Sequence, residues 1–261
     1  MATYNKRGYK PAKPEPEVKE ENVIEQEETF DGNSTTAEVF NSLDAGASKT
    51  EEWVQRNQKM IFIVIGVIAL GIVGYMFYDK FIVSPKQEDA ANEMFQAEQY
   101  FDQAVNGQTA SDSLYNLSLK GGEGKKGFLG IIESYPGTDA ANLAHYFAGM
   151  AYLNTGKYKE AVQYLEDFKT EDDILSALAL GGTGDAFAQL KDNNSALEYY
   201  EKAIKASENN LTTPRFMFKA GQLLVGMNKK AEALKYFNEI KEKYETSPEG
   251  VSIDAYIAMA E

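Results

Sequence analysis

An internal repeat in the C-terminal half of the chain is the feature that most constrains its fold. Three segments share one pattern of glycine, alanine and large apolar residues: GMAYLNTGKYKEAVQYLEDF (149–168), GDAFAQLKDNNSALEYYEKAI (184–204) and GQLLVGMNKKAEALKYFNEI (221–240). Consecutive copies are offset by 35 and 37 residues. A period of this length is typical of solenoids, in which each unit buries its apolar face only against its neighbours.

Each copy is predicted to be a pair of antiparallel helices, because apolar residues recur at helical spacing and strand-type alternation is absent. A glycine on the first helix and an alanine on the second recur in every copy. We expect these two to lie where the backbones approach most closely, with larger apolar residues filling the space toward the next unit. The shared positions are Gly149, Tyr152, Ala161, Leu165 and Phe168, then Gly184, Phe187, Ala196, Tyr200 and Ala203, then Gly221, Leu224, Ala233, Phe237 and Ile240.

This pattern resembles the tetratricopeptide repeat, whose period is about 34 residues. The resemblance implies an all-α fold, a tetratricopeptide-type right-handed helical solenoid with three clear repeats and a C-terminal cap helix over residues 142–261. FLGIIESYP (128–136) matches part of the third repeat, so a degenerate N-terminal repeat is predicted within residues 83–141. Its first helix would be residues 86–106 or the short segment 111–119.

A second constraint is the run MIFIVIGVIALGIVGYMFY (60–78), which contains no charged residue. As a helix this run would span about 28 Å, close to the ~30 Å hydrocarbon core of a bilayer. Trp53, Tyr75 and Tyr78 lie where interfacial aromatic residues are found. The alternative is a buried core helix, but such helices are usually amphipathic and shorter. We therefore predict a single transmembrane helix with its flanks over residues 53–82.

The segment before this helix has a different character. Residues 1–52 contain three prolines, many acidic residues and few large apolar residues, so we predict a disordered acidic tail, with Thr50 the earliest residue of a helix leading into the span. Basic residues are slightly more frequent just before the span than just after it, which favours an N-terminus in the cytoplasm. A charged tail without its own signal would also be hard to translocate. Residues 83–261 are therefore expected on the outer side.

Composition restricts the possible functions. The 261 residues include 26 basic and 40 acidic side chains, giving a formal net charge of −14, with no cysteine and one histidine. The absence of cysteine excludes disulfides, a cysteine nucleophile, iron–sulfur ligation and Cys-type zinc sites, and one histidine excludes two-His zinc motifs. The acidic charge argues against nucleic-acid binding. We predict no bound cofactor, no metal, no catalytic residue and no small-molecule substrate, and hence a protein that is not an enzyme.

Several motifs with possible chemistry have simpler structural interpretations. GGEGKKG (121–127) satisfies G-x-G-x-x-G, but its surroundings are helical, so a flexible loop between helices is predicted rather than a dinucleotide site. His145 falls at a packing position of the first repeat and is interpreted as a partly buried, satisfied histidine rather than a general base. The acidic runs 171–173 and 192–194 lack the ligand spacing of a calcium loop and are predicted to be solvated.

The most promising site is the concave groove that the tetratricopeptide resemblance implies, lined by exposed positions of each first helix. Aromatic and Met side chains among polar ones suit contact with a peptide or with a partner's helix. The alternative is that the aromatic and Met residues only pack against neighbouring helices. The groove residues are Tyr146, Met150, Asn154, Asp185, Gln189, Arg215, Phe218 and Gln222.

A closer resemblance is carried by the anchor, by FLGIIESYPGTDAANLAHYFAGMAYLNTGKYKEAVQYLEDF (128–168) with its Tyr-Pro-Gly-Thr junction, and by TTPRFMFKAGQLLVGMNKKAEALKYFNEIKEKYETSPEG (212–250). Together they look like the ancillary Sec-translocon subunit family, which comprises membrane-anchored bacterial proteins with periplasmic repeats. The resemblance implies a single-pass protein of the bacterial inner membrane. It also implies that residues 60–78 bind export-channel subunits, while the groove binds a periplasmic chaperone or an emerging nascent chain.

Two other function classes stay open. The repeats could form a scaffold for envelope assembly or cell division that binds a cell-wall enzyme or outer-membrane machinery. An enzyme is the third class, but nothing in the repeat region supplies a nucleophile with its base or a set of metal ligands.

Overall fold

The computed structural model describes the backbone of residues 35–107 and 112–261, and the side chains of residues 50–107 and 112–261. Within these ranges every regular element is a helix, which confirms the predicted all-α class. The part of the predicted disordered tail that covers residues 1–34 lies outside the described residues. The helices are α1 (Thr35–Tyr78), α2 (Ser84–Asn106), α3 (Asp112–Lys120), α4 (Phe128–Ser134), α5 (Asp139–Asn154), α6 (Tyr158–Asp167), α7 (Asp173–Gln189), α8 (Asn193–Ala206), α9 (Thr213–Gly226), α10 (Lys230–Lys243) and α11 (Ile253–Ala260).

The chain divides into two compact units, Met1–Ala69 and Leu70–Glu261. In the first unit, helix α1 already begins at Thr35 rather than near Thr50, so residues 35–52 are not the disordered segment that the sequence predicted. This segment contains Ala, Glu, Val, Phe and Leu, all of which a helix tolerates, whereas the tail's prolines lie earlier in the sequence. Averaging the composition over the whole tail concealed a segment that can form helix.

Helix α1 carries the long apolar run. One described helical stretch, 50–106, is long and apolar enough to cross a membrane by length and composition, and none of its most apolar window is buried. The second unit contains the end of this run, a short π-helical segment, Asp79–Val83, and helix α2. The Ser84 N–H donates to the Asp79 carbonyl, five residues earlier. Pro85 follows and has no N–H for an α-type bond, which explains the local widening of the helix.

Three helix pairs form the repeat region of the second unit: α5–α6, α7–α8 and α9–α10. Consecutive pairs stack, since α6 packs against α7 and α8 packs against α9, and α11 covers α10. The arrangement confirms the predicted helical solenoid. The short helix α11 lies where the cap helix was predicted, after one 3₁₀ turn at Gly250–Ser252.

The apolar core of this unit is distributed along the stack instead of concentrated at one centre. Phe128 and Ile131 are fully buried at its N-terminal end, and Leu224, Phe237 and Ile240 are buried at its C-terminal end. A separate central cluster surrounds Ala196, Tyr200 and Phe216 in the middle of the stack. Such nearest-neighbour clusters are expected of a solenoid, in which each repeat buries its surface only against adjacent repeats.

The repeat glycines lie at close approaches between paired helices, as predicted, but the contacting group differs from the predicted one. A Cβ atom added to any of these glycines would collide with a large side chain of the second helix, four residues after the shared alanine. The alanines are fully buried, yet the larger side chain fills the space that each glycine leaves. The added Cβ atom would lie 2.5 Å from Leu165 Cγ at Gly149, 2.7 Å from Tyr200 Cδ1 at Gly184 and 2.3 Å from Phe237 Cε1 at Gly221.

Helix α2 is fastened to the start of the repeats by two polar contacts. The Lys86 Nζ donates to the Pro136 carbonyl at 2.6 Å, and the Asp139 N–H donates to Gln87 Oε1 at 2.8 Å. At the other end of α2, the Phe101 ring lies against a ring in the middle of α5. Helices α2 and α5 therefore run side by side in the same direction. Helix α2 also packs against α3, and α4 packs against α5.

Candidate protein-binding groove

The first helices of the repeats, α5, α7 and α9, lie side by side and form what we call the first-helix layer. Contacts through tandem glycines of α7 bring them together. A Cβ atom added to Gly182 would lie 3.2 Å from Met150 Sδ of α5, and one added to Gly181 would lie 1.9 Å from the Phe216 ring of α9. Because α7 has no side chain at these two positions, side chains from both neighbouring helices approach its backbone.

Charge is distributed unevenly between the two layers of helices. Beyond the first residues at each N-terminus, the first-helix layer carries only three charged residues, Asp185, Arg215 and Lys219. The second helices, α6, α8 and α10, carry many acidic and basic residues. The first-helix layer therefore has few charges, although residues 83–261 have a net charge of −10.

Tyr146 and Arg215 come from the first and third repeats, and the charge of Arg215 acts on Tyr146. The Tyr146 ring packs against Phe147 and Phe168, with centroids 5.6 and 5.4 Å apart. Burial raises the pKa of the Tyr146 hydroxyl, and the nearby Arg215 guanidinium opposes that rise. Arg215 itself is exposed. It therefore lies within electrostatic reach of a half-buried aromatic residue two repeats away.

Asp185 is neutralised within the molecule. The Lys219 Nζ lies 2.6 Å from its Oδ2, and the Tyr200 hydroxyl donates to its Oδ1 at 2.8 Å. Burial, followed by the Asp185 charge and this hydrogen bond, raises the pKa of Tyr200 far above its ordinary value. Asp185 thus holds α7, α8 and α9 together and does not offer a free carboxylate to a partner.

The other groove residues fall into two groups. Asn154, Gln189 and Gln222 are exposed, although the Asn154 side chain also donates to the Met150 carbonyl of its own helix at 2.8 Å. Phe218 is half-buried against Tyr256 of α11, with ring centroids 4.6 Å apart. Tyr146, Met150 and Phe218 therefore pack against neighbouring helices while each keeps part of its surface accessible.

An apolar cleft that the sequence did not predict lies at the N-terminal end of this layer, and we call it the α2–α5 cleft. Its volume is about 490 Å³. Three groove residues line it, but the opposite wall comes from α2 and α3, outside the clear repeats. Phe101 and Val105 are four residues apart on α2, and this spacing is the sequence signal that could have revealed the wall. The lining residues are Phe101, Ala104, Val105, Gly107, Tyr115, Tyr146, Phe147, Met150 and Asn154.

The second-helix layer is linked by repeated tyrosine–glutamate hydrogen bonds. The Tyr199 hydroxyl of α8 donates to Glu166 of α6, and the Tyr236 hydroxyl of α10 donates to Glu201 of α8 at 3.0 Å. Burial, followed by the Glu166 contact, raises the pKa of Tyr199 to about 12. Lys202 Nζ lies 4.4 Å from the centre of the Tyr199 ring. These contacts form the edge of a second cleft, of about 410 Å³, between α6 and α7–α8.

The remaining candidates have structural roles. GGEGKKG lies in the loop between α3 and α4, as predicted. Asp172 Oδ1 accepts from the Leu175 N–H at 2.8 Å and Asp192 Oδ1 from the Ser195 N–H at 3.2 Å, so the two acidic runs contain helix N-caps. Across residues 50–107 and 112–261, no three His, Asp or Glu side chains are grouped to hold a metal ion.

His145 differs from the prediction of a satisfied histidine. Its ring lies against Tyr164, with centroids 5.8 Å apart, but its buried Nδ1 has no hydrogen-bond partner among the described residues. Burial lowers the pKa of the imidazole, and nearby Asp167 partly opposes the decrease.

Comparison with known families agrees with this geometry. Models of the tetratricopeptide repeat match residues 144–170, 179–210 and 216–247. No curated protein matches the chain. The fold and these matches define a helical solenoid of tetratricopeptide repeats. Such repeats bind protein partners and indicate a protein–protein interaction scaffold.

Proposed function

We propose that this protein is a membrane-anchored interaction scaffold that serves the bacterial protein-export channel as an accessory subunit. In this proposal residues 60–78 cross the inner membrane and pack against channel helices. The repeats lie in the periplasm, where their groove binds a chaperone or an emerging chain. The observation that carries the proposal is the exposed apolar run, which continues as helix through Asp79–Val83 into α2. Two hydrogen bonds then join α2 to the start of the first repeat.

The exposure of the apolar run supports an anchor. Phe62, Leu70 and Phe77 are 63%, 74% and 60% exposed. Water-exposed apolar surface costs roughly 25 cal/mol per Å², so a run of this length requires a bilayer or a partner's helices to cover it. Lys86 and Gln87, only eight or nine residues after Tyr78, are bonded to the α4–α5 junction.

The Tyr-Pro-Gly-Thr junction, on which the resemblance to the ancillary Sec-translocon subunit family partly rests, has a structural role in this chain. Pro136 accepts the hydrogen bond from Lys86, and Gly137 has a φ of +80°. The Thr138 hydroxyl accepts from the Ala141 N–H at 3.1 Å and so caps α5. The Tyr-Pro-Gly-Thr segment therefore has a definite role, which is to attach the helix that follows the anchor to the first repeat.

Affinity purification of the full-length protein in mild detergent, followed by mass spectrometry, tests the proposal. We expect export-channel subunits in near-stoichiometric amounts. A variant in which an unrelated apolar sequence of equal length replaces residues 60–78 is expected to stay in the membrane and lose these subunits. Absence of channel subunits from the unaltered protein would overturn the proposal.

The alternative is a scaffold for envelope assembly or cell division, in which recognition lies in the repeats alone and the exposed Arg215 contacts the partner. In that case the anchor replacement leaves the partner bound, whereas Arg215→Glu removes it. Asp185 is unsuitable for this test, since reversing its charge would break its contacts with Lys219 and Tyr200.

A further inference from the structure

The α2–α5 cleft is an apolar site to which a helix outside the clear repeats contributes one wall. Helix α2 supplies Phe101, Ala104 and Val105, and α5 supplies Tyr146 and Met150. Its volume of about 490 Å³ lies within the range of ligand-binding pockets, roughly 300–1,000 Å³. Val105 is 53% exposed. An apolar side chain entering the cleft would cover this residue together with Met150.

Arg215 supplies one uncompensated positive charge beside this cleft. It is the only arginine in residues 83–261. Within the part of the chain that the structure describes, it makes no hydrogen bond or ion pair, whereas Asp185 and Lys219 neutralise each other. Phe216, the residue after Arg215, packs against Gly181 of α7, and Met150, which lines the cleft, packs against the adjacent Gly182, so Arg215 and the cleft lie across the same turn of α7. The Arg215 guanidinium accordingly opposes the rise in the pKa of Tyr146, which also lines the cleft. A guanidinium in such a setting matches the planar geometry of a carboxylate.

The lining of the groove does not end at Arg215. Gln222 lies two turns further along α9, and Gln189 lies at the end of α7, both with exposed side chains. A bound chain can therefore continue past the guanidinium. The groove around Arg215 therefore favours the carboxylate of an Asp or Glu side chain inside the bound segment. It disfavours the carboxylate at the C-terminus of a chain.

We propose that the groove binds an internal segment of a partner protein in which an apolar side chain enters the α2–α5 cleft and a nearby Asp or Glu pairs with Arg215. This inference rests on the proposed scaffold function and specifies the chemistry of the segment that is bound.

Selection from a phage-displayed library of random 12-residue segments, held internally in the coat-protein fusion, tests the inference on the full-length protein in nanodiscs. We expect enriched sequences to combine Phe, Leu or Met with Asp or Glu within about one helical turn. Arg215→Gln is expected to remove the enrichment in acidic residues. Val105→Asp is expected to remove the enrichment in apolar residues.

Two matched variants serve as controls. Lys205→Gln makes the same charge change on the exposed surface of α8, and Phe95→Ser removes an exposed apolar side chain of α2 that does not line the cleft. Both are expected to select the same sequences as the unaltered protein. Acidic enrichment that survives Arg215→Gln, or no enrichment with any variant, would overturn the inference.

A synthetic peptide of the most enriched sequence, measured by fluorescence anisotropy, identifies the source of the carboxylate. We expect at least a tenfold loss of affinity with Arg215→Gln, a similar loss when the peptide's acid becomes its amide, and little further loss when both changes are combined. Amidation of the peptide's C-terminus is expected to have no effect, and a loss on amidation would overturn the assignment to a side chain.

These outcomes are distinguishable from failure of the proposed function. If channel subunits co-purify but the selection shows no acidic and apolar preference, only this inference is overturned. If the preference is found and channel subunits are absent, the scaffold binds such segments outside the export channel.

Discussion

At the scale of single residues, the packing of each helix pair depends on a glycine of its first helix. A Cβ atom at Gly221 would lie 2.3 Å from Cε1 of Phe237, which is fully buried. We predict that Gly221→Ala destabilises the repeat region by about 1–3 kcal/mol, the usual cost of overpacking a core. Urea denaturation followed by circular dichroism measures this free energy of unfolding.

Gly226 provides a control in the same helix. No atom lies within 4 Å of a Cβ atom added there, so Gly226→Ala gains helix propensity without a collision. We expect its stability to match or exceed that of the unaltered protein. Equal effects of the two substitutions would mean that backbone propensity, rather than the contact with Phe237, sets the requirement for glycine.

His145 should make stability depend on pH. Burial lowers the pKa of its imidazole in the folded state, so the unfolded chain binds the proton more readily. The free energy of unfolding should therefore fall as the pH drops below about 6.5. His145→Phe keeps a ring against Tyr164 and removes the titration. The difference in melting temperature between pH 7.5 and 5.5 should be smaller in this variant, and an unchanged difference would exclude His145 as its source.

At the scale of helices, the tyrosine–glutamate hydrogen bonds join the second helices of consecutive repeats. The Tyr236 hydroxyl donates to Glu201 at 3.0 Å. We predict that Tyr236→Phe lowers the free energy of unfolding by about 1 kcal/mol, the typical contribution of one hydrogen bond. Tyr158→Phe is the control, because the Tyr158 hydroxyl has no hydrogen-bond partner among the described residues. A loss of equal size in both variants would contradict the role of the bond to Glu201.

The same bonds predict a weakening at alkaline pH. Burial and Glu166 raise the pKa of Tyr199 to about 12 from the ordinary value of 10.0. Because the folded state holds this proton more tightly, the stabilisation is complete below about pH 10 and is lost as the pH rises toward 12. Thermal melting of the unaltered protein and of Tyr199→Phe at pH 8 and pH 11 measures the effect. The variant should lose less stability than the unaltered protein between the two pH values.

Sequence periodicity predicted the repeat helices well because glycine and alanine at fixed positions control how closely helices approach. Sequence periodicity did not predict the tyrosine–glutamate hydrogen bonds, although Tyr164, Tyr199 and Tyr236 occupy the same position in the three repeats. The pattern of one helix does not reveal a contact between helices of different repeats. Helix α1 was predicted to begin too late for a different reason. The acidic composition of the tail as a whole hid the helix-compatible segment that starts at Thr35.

At the scale of the whole molecule, the sequence register placed Tyr146 and Arg215 in one groove, and the structure brings them into electrostatic reach. The register could not show that Asp185 is neutralised, since its partners lie on two other helices. It also could not show the wall that α2 contributes, because α2 lies outside the periodic region. Contacts between distant segments determine which groove residues are free to meet a partner.

The proposed orientation is the property of the whole chain that can be tested most directly. The chain has no cysteine, so an introduced cysteine is its only thiol. Lys205→Cys places this thiol on the exposed surface of α8, and Ala2→Cys places it in the N-terminal tail. In cells with a permeable outer membrane and an intact inner membrane, we expect a membrane-impermeant maleimide to label Lys205→Cys but not Ala2→Cys.

Lysis of the inner membrane should make Ala2→Cys reactive, which shows that the thiol was shielded by location and not by structure. The cysteine-free parent reports any background labelling. The opposite pattern would place the repeats in the cytoplasm, where the groove could not meet a periplasmic chaperone or a chain emerging from the channel. Recovery of either variant in the soluble fraction would mean that the exposed apolar surface of residues 60–78 is covered by protein instead of lipid.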